Sequence, residues 1–157
     1  MGDPERFKVF ANYVKINFPK VKSIADIAGG KGELQIELRK LGYTVMTYDK
    51  RHVKISRNLS YKYSYFDNKV KDYYDLLVGM HPDGATDIIV IEAIKRNIPF
   101  CVVPCCVIPH ATKCNKNISY YSWINHLKQI VKSYKYKVIE YELPIKGKNI
   151  VLSGRPK

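Results

Sequence analysis

The sequence predicts one doubly wound α/β domain, a mostly parallel seven-stranded sheet with helices on both faces and a closing antiparallel hairpin. Three observations carry this. Short β-rich runs alternate with amphipathic helical stretches along the whole chain. A glycine turn, Gly29-Gly30-Lys31-Gly32, follows the first β-rich run, and an aspartate, Asp49, ends the second. Residues 98–103 are apolar without a break, as expected of a central parallel strand covered on both faces.

Each element has its own signal. Phe7, Phe10, Val14 and Phe18 recur at helical spacing behind Asp3-Pro4, which reads as an N-cap and first-turn pair, so a helix runs to near Pro19. Residues 23–28 form an apolar run interrupted by Asp26, a strand leading into the glycine turn. Leu34, Leu38 and Leu41 mark the next helix, closed by Gly42. A strand over 44–48 ends at Asp49, a third lies within 59–66, and a fourth spans 75–80. Pro82 and Asp83 open a helix to about Arg96. After the strand at 98–103, residues 104–117 form a loop rich in Pro, Cys and Lys. Tyr120, Ile124, Leu127, Val131 and Tyr134 define a last helix, and 137–143 and 149–153 pair as a hairpin around Pro144 and Gly147.

At 157 residues the chain holds one domain, and 46% hydrophobic content places it among globular proteins, not disordered ones. No apolar run reaches membrane-spanning length, and the opening Met1-Gly2-Asp3-Pro4-Glu5-Arg6 lacks the basic and apolar regions of a secretory signal. Cys101, Cys105, Cys106 and Cys114 crowd into one stretch and read as reduced thiols of a cytoplasmic protein. A net charge of +13 attracts polyanions, nucleic acid first. The excess is mostly lysine beside many Tyr, Ile and Asn, which AT-rich codon usage also produces.

The glycine turn admits either a dinucleotide or S-adenosylmethionine. Dinucleotide sites want a third glycine three residues after the second, so that a helix N-terminus approaches the pyrophosphate; that position is Gln35. Asp26-Ile27-Ala28-Gly29-Gly30-Lys31-Gly32 resembles the first motif, D-x-G-x-G-x-G, of the class I S-adenosylmethionine-dependent methyltransferases, with Ala28 in place of the first glycine. The resemblance extends to element order, including the closing hairpin of that Rossmann-like fold. It implies that Gly30 and Gly32 pass beneath the methionine portion of S-adenosylmethionine, that Asp49 holds the ribose, and that Asp67 lies near the adenine amine, with Asp26, Ala28, Gly29 and Lys50 in the same cofactor site. Met80 and His81 close the same pocket.

The fourth strand runs out into Gly79-Met80-His81-Pro82-Asp83-Gly84-Ala85-Thr86-Asp87, which lacks the D-P-P-Y or N-P-P-Y of amine methyltransferases. The fifth runs into Cys105-Cys106. The pattern H-x-x-G-A-T-D followed by C-C resembles a eukaryotic tRNA 2′-O-methyltransferase family and related methyltransferase-like proteins. Asp83 replaces the cysteine of its H-L-C-G-x-A-T-D, and Val107 the histidine of its C-C-H. His81 or Asp83 is a candidate base for a hydroxyl acceptor, and Cys105 or Cys106 a candidate nucleophile for pyrimidine C5 chemistry. Cys105, Cys106, His110 and Cys114 offer zinc-type donors, but their spacing matches no common knuckle. The packed, cofactor-shaping reading is preferred for the thiols, and no metal is assigned.

Cations and aromatics interleave in two places. Lys50, Arg51, His52, Lys54 and Arg57 precede Tyr61-Lys62-Tyr63, and Lys113, Lys116, Tyr120, Tyr121 and Trp123 follow the cysteine loop. Such clusters suit phosphate contacts and base stacking, or are ordinary solvated surface. The expected function is methyl transfer from S-adenosylmethionine to RNA, tRNA or rRNA, met by Lys50, Arg51, Lys54, Lys113, Lys116 and Tyr120. A small-molecule acceptor and a non-catalytic cofactor-binding module are the alternatives.

Overall fold

Strict alternation along the strands sorts this sequence into two apolar layers. The structure, a computed structural model, describes residues 2–55 and 58–157; Arg57 lies outside them. The elements are α1 (Arg6–Asn17), β1 (Ser23–Ile27), α2 (Glu33–Lys40), β2 (Thr44–Tyr48), β3 (Tyr61–Lys62), β4 (Leu76–Met80), a 3-10 turn (Asp83–Ala85), α3 (Thr86–Arg96), β5 (Phe100–Val103), α4 (Tyr120–Ser133), β6 (Tyr136–Glu142) and β7 (Ile150–Pro156). They build a seven-stranded sheet of order β3-β2-β1-β4-β5-β7-β6. β1 to β5 run parallel, while β7 is antiparallel to both β5 and β6.

Ala25, Ile27, Leu77, Phe100, Val102, Ile150 and Leu152 point to one face, where α3 and α4 bring Ile89, Val90, Trp123 and Leu127. Their chain neighbours Ile24, Leu76, Val78, Cys101, Val103 and Val151 point to the other, against Phe10 and Val14 of α1 and Leu34 and Leu38 of α2. The expected layering of helices on both faces is therefore present. Among the described residues no helix is long and apolar enough to cross a membrane.

Several boundaries differ from the sequence reading, each for a local reason. α1 starts at Arg6 with Glu5 at its N-cap, because the Asp3 carboxylate instead accepts the Glu5 N–H at 2.9 Å and the Lys146 N–H at 3.0 Å. That ties the chain's entry turn to the hairpin loop. β3 is only two residues long, pairing Tyr61 and Lys62 with Thr47 and Tyr48. The stretch after Pro82 is a 3-10 turn before it becomes α3, since Asp83 takes a φ of 49° that an α-helix does not admit. The hairpin is longer than read, running from Tyr136 to Pro156 in full register.

Gln35 explains how so short a β3 persists at the sheet edge. It is fully buried on α2, and its Nε2 donates to Thr47 Oγ1 and to the Ser60 carbonyl, both at 2.8 Å. Its Oε1 accepts the Ser60 N–H at 3.0 Å. One side-chain amide thus satisfies both backbone groups of the residue that leads into β3. Gln35→Ala should lower stability by about 2 kcal/mol in urea denaturation. It should also speed amide exchange selectively at Thr47 and Asp49, whose N–H groups bond Ser60 and Lys62. A uniform rise in exchange across the sheet would remove Gln35 as the anchor of this edge.

Candidate functional site

β1 is flanked by β2 on one side and β4 on the other, so strand order reverses between β1 and β4. In an open parallel sheet the chains leaving two such strands diverge and leave a crevice at their carboxyl ends. A cavity of about 340 Å³ lies there. Ile27, Tyr48, Phe66, Ala85, Ile88 and Ile108 give it apolar walls, and Asp49, Lys50, Arg51 and Asp83 line its polar side.

The glycine turn forms the rim. Ala28, Gly30 and Gly32 have φ of 58°, 56° and 80°, and the Ala28 N–H donates to the Tyr48 carbonyl at 2.7 Å. Ala28 is thus a non-glycine residue in left-handed backbone, the kind of strain that collects at functional turns. Gly29 is required for space: a Cβ there would lie 2.2 Å from Asp26 Oδ2 and 2.6 Å from Thr47 Cγ2. Asp26 is 1% exposed; its Oδ2 accepts the Thr47 hydroxyl at 2.9 Å, while Oδ1 has no partner among the described residues. Burial outweighs that bond and pushes its carboxyl up to about 7.

Asp49 has the opposite environment. Its Oδ2 accepts the Gly30 N–H at 2.9 Å, and its Oδ1 accepts the Arg51 N–H at 2.9 Å. The Arg51 guanidinium donates to both oxygens, from Nε at 3.0 Å and from its second nitrogen at 2.8 Å. Burial raises the carboxyl, but the guanidinium and the two backbone amides together hold it below the usual carboxylate range. Arg51 itself is exposed. The i,i+2 pairing of Asp49 with Arg51 is a feature the sequence reading does not anticipate.

At the other wall, His81 and Asp83 take φ of 51° and 49°. The His81 imidazole donates from Nε2 to the Lys148 carbonyl at 2.7 Å and is not among the cavity-lining residues. Burial lowers its pKa, and the ring ties the hairpin turn to the end of β4. Met80 is buried in the layer under α1 and α2, also off the cavity. Asp83 does line it, and its Oδ1 accepts the Cys105 thiol at 3.3 Å, with Cys106 Sγ at 4.0 Å. Gly84 packs under His110, whose Nε2 would lie 2.6 Å from a Cβ at that position. Asp87, fully buried, gathers the loop above: its Oδ2 accepts the N–H groups of His110, Ala111 and Thr112 at 2.9, 2.9 and 3.0 Å and the Thr112 hydroxyl at 2.9 Å. The G-A-T-D run therefore sets the roof of the cavity through its last residue.

The remaining residues spread outward. Asp67 lies beyond the cavity in a turn, its Oδ1 accepting the Lys69 N–H at 2.9 Å, while Phe66 before it forms cavity wall. Lys50 sits over the Tyr65 ring at 5.1 Å, His52 stacks on Tyr63 at 4.9 Å, and Tyr61 lies 4.7 Å from Tyr63. Lys54, Lys113 and Lys116 are exposed. Tyr120 is half-buried, its hydroxyl donating to the Pro104 carbonyl at 3.0 Å.

No protein family model matches this chain, and no curated relative does. Solved structures do match in fold. A ribosomal protein L11 methylase from Lactobacillus delbrueckii subsp. bulgaricus aligns with 100% of this chain and 81% of its own, with a TM-score of 0.66 at 14% identity. A precorrin-6y C5,15-methyltransferase from Geobacter metallireducens aligns over 98% and 87%, with a TM-score of 0.65 at 10% identity. The plantazolicin methyltransferase BpumL, in complex with SAH, aligns over 97% and 83%, with a TM-score of 0.63 at 13% identity. This chain has the fold of these methyltransferases. At such identities the likeness carries architecture alone, and the acceptors of the three proteins differ as their names do.

Asp26 gives the site a pH signature. Its carboxyl ionises near 3.8 when unfolded and near 7 when folded. The unfolded chain therefore binds fewer protons between those values, and stability falls as pH rises from about 4 to about 7, then levels. Asp26→Asn should remove this slope, gaining up to a few kcal/mol on wild type at pH 8 and little at pH 4. Urea midpoints at the two pH values decide it; an equal difference at both would mean that Asp26 does not titrate in this window.

Proposed function

We propose that the chain is an S-adenosylmethionine-dependent methyltransferase that acts on RNA in the cytoplasm. The observation that carries the cofactor reading is the cavity at the reversal of strand order, where a turn of three left-handed residues meets a buried carboxylate in a methyltransferase fold. Its apolar walls suit a planar base, and the Asp49 carboxylate at one side suits a ribose diol. Gly29 lets the turn pack directly on Asp26 and Thr47, and the orphaned Asp26 Oδ1 lies behind the turn on which the methionine portion would rest. SAH in the fold neighbour BpumL is consistent with this.

The bound cofactor supplies a methyl group on a sulfonium, and the chain's work is to hold it, align the acceptor and take up the acceptor's proton. Gly30 and Gly32 carry the turn, with Asp26, Ala28 and Gly29 behind it. Arg51 must release at least one Asp49 oxygen for the ribose, and being exposed it can turn outward toward a phosphate. Asp83, on the cavity wall, is the better placed proton acceptor; His81 is a positioning residue for the hairpin, and Cys105 holds the Asp83 carboxylate. The RNA reading draws on Lys50, Arg51 and Lys54 with the aromatic rings of His52, Tyr63 and Tyr65, and on the exposed Lys113 and Lys116 with half-buried Tyr120. Four unpaired cysteines fit a reducing compartment.

Two measurements test this. Asp49→Ala should weaken S-adenosylhomocysteine binding by about 100-fold in calorimetry, the loss of two charge-assisted hydrogen bonds, whereas Arg51→Ala should hold or improve it. Unchanged affinity in Asp49→Ala would sink the ribose assignment. Radiolabelled methyl from S-adenosylmethionine should enter total cellular RNA in a ribonuclease-sensitive form. Label found only among small metabolites would move the acceptor to that class, and cofactor binding without any label would leave a non-catalytic module.

A further inference from the structure

We infer that Asp83, Cys105 and Cys106 form a binding site for one thiophilic divalent cation of the zinc class, where Asp83 lines the cavity wall. Binding itself does not depend on the methyl-transfer reading; only its position beside the acceptor does.

The topology brings the three residues together. β4 and β5 are parallel neighbours with Met80 paired to Val103, so the chains leaving them emerge side by side. Asp83 reaches across because its φ is 49°, a conformation that a non-glycine residue holds only when its surroundings impose it. Residues 105 and 106 lie outside any strand, so the extended alternation that would send adjacent side chains to opposite sides does not apply. The result is two sulfurs and one carboxylate oxygen all within 4.8 Å of one another. Cys105 Sγ is 3.3 Å and Cys106 Sγ 4.0 Å from Asp83 Oδ1. A tetrahedral ion with sulfur ligands near 2.3 Å and an oxygen ligand near 2.1 Å spaces its donors about 3.5 to 3.8 Å apart. The two sulfur–oxygen distances need to change by only a few tenths of an ångström.

Donor chemistry and charge agree with this. Two thiolates and a carboxylate favour a soft or borderline cation over calcium or magnesium. They leave the loaded centre with one negative charge, and Arg51 is near enough for its guanidinium to feel the Asp83 carboxylate. Without a cation the grouping is unfavourable for thiolate: burial and then the adjacent Cys106 push the Cys105 thiol up to about 12. A bound cation reverses that by taking the thiolate as ligand. His110 and Cys114 do not belong to the group. Three protein ligands leave one position for water or substrate, the pattern of reactive and not structural zinc sites. Asp83 lines the cavity, which puts that position at the acceptor.

The test is titration of the reduced, full-length protein with cobalt(II) as the spectroscopic probe, with no cofactor or RNA present. The expected result is one equivalent bound with a thiolate-to-cobalt charge-transfer band, displaced by zinc. Cys106→Ser, at an exposed position, and Asp83→Asn should each weaken binding by at least about tenfold. Cys114→Ser should not. Melting curves of the metal-free variants exclude misfolding, and if one variant misfolds the other decides. Absence of the band, a band unchanged in both Cys106→Ser and Asp83→Asn, or one lost in Cys114→Ser would each overturn the site. Methyl transfer is not read in this experiment, so failure of one proposal leaves the other standing.

Discussion

A carboxylate taken out of water needs donors or must keep its proton, and the open end of this sheet is organised around three buried ones, two at strand ends and one in the first turn of α3. Asp49 has two backbone amides and a forked guanidinium, so it stays ionised. Asp87 has three consecutive amides and a hydroxyl, which shapes residues 110–112 into a roof. Asp26 has one hydroxyl and is driven toward its neutral form. The glycine turn, the Arg51 side chain and the cysteine-rich loop all take their conformations from these requirements. Gly29 has no side chain because Asp26 and Thr47 already occupy that space.

The same burial changes how the surface charge should be read. Asp26, Asp49, Asp87 and Glu92, four of the fourteen acidic residues, are buried. The surface is accordingly poorer in acid than the composition implies, while Lys50, Arg51, Lys54, Lys113 and Lys116 are exposed, the first two at the cavity. Codon bias can account for many lysines; Lys50 lies over the Tyr65 ring, next to the stacked His52, Tyr63 and Tyr61.

Most of the architecture was legible because the period-2 and helical patterns are each unbroken. β2 has the expected bounds, and Ile98 to Val103 contains β5. Legibility failed where a side chain's partner lies far along the chain. Asp3 looks like an N-cap until Lys146 claims its second oxygen, and His81 looks like a free base until the Lys148 carbonyl, 67 residues on, takes its Nε2 hydrogen. The meeting of Asp83 with Cys105 and Cys106 depends on β4 lying beside β5 and on one left-handed φ, neither of which spacing reveals. The Arg51–Asp49 pair is local, two residues apart, but its fork depends on side-chain rotamers that sequence spacing does not specify.

Gln35 stands where a dinucleotide-binding turn would require bare backbone, and it is also the clasp that fixes β3 to the sheet. These two roles cannot be separated by a single substitution. Glycine at this position would supply the third glycine of a dinucleotide motif and, in the same step, unfasten the edge that holds β3. The residue by which the turn departs from that motif is therefore one the sheet edge cannot spare.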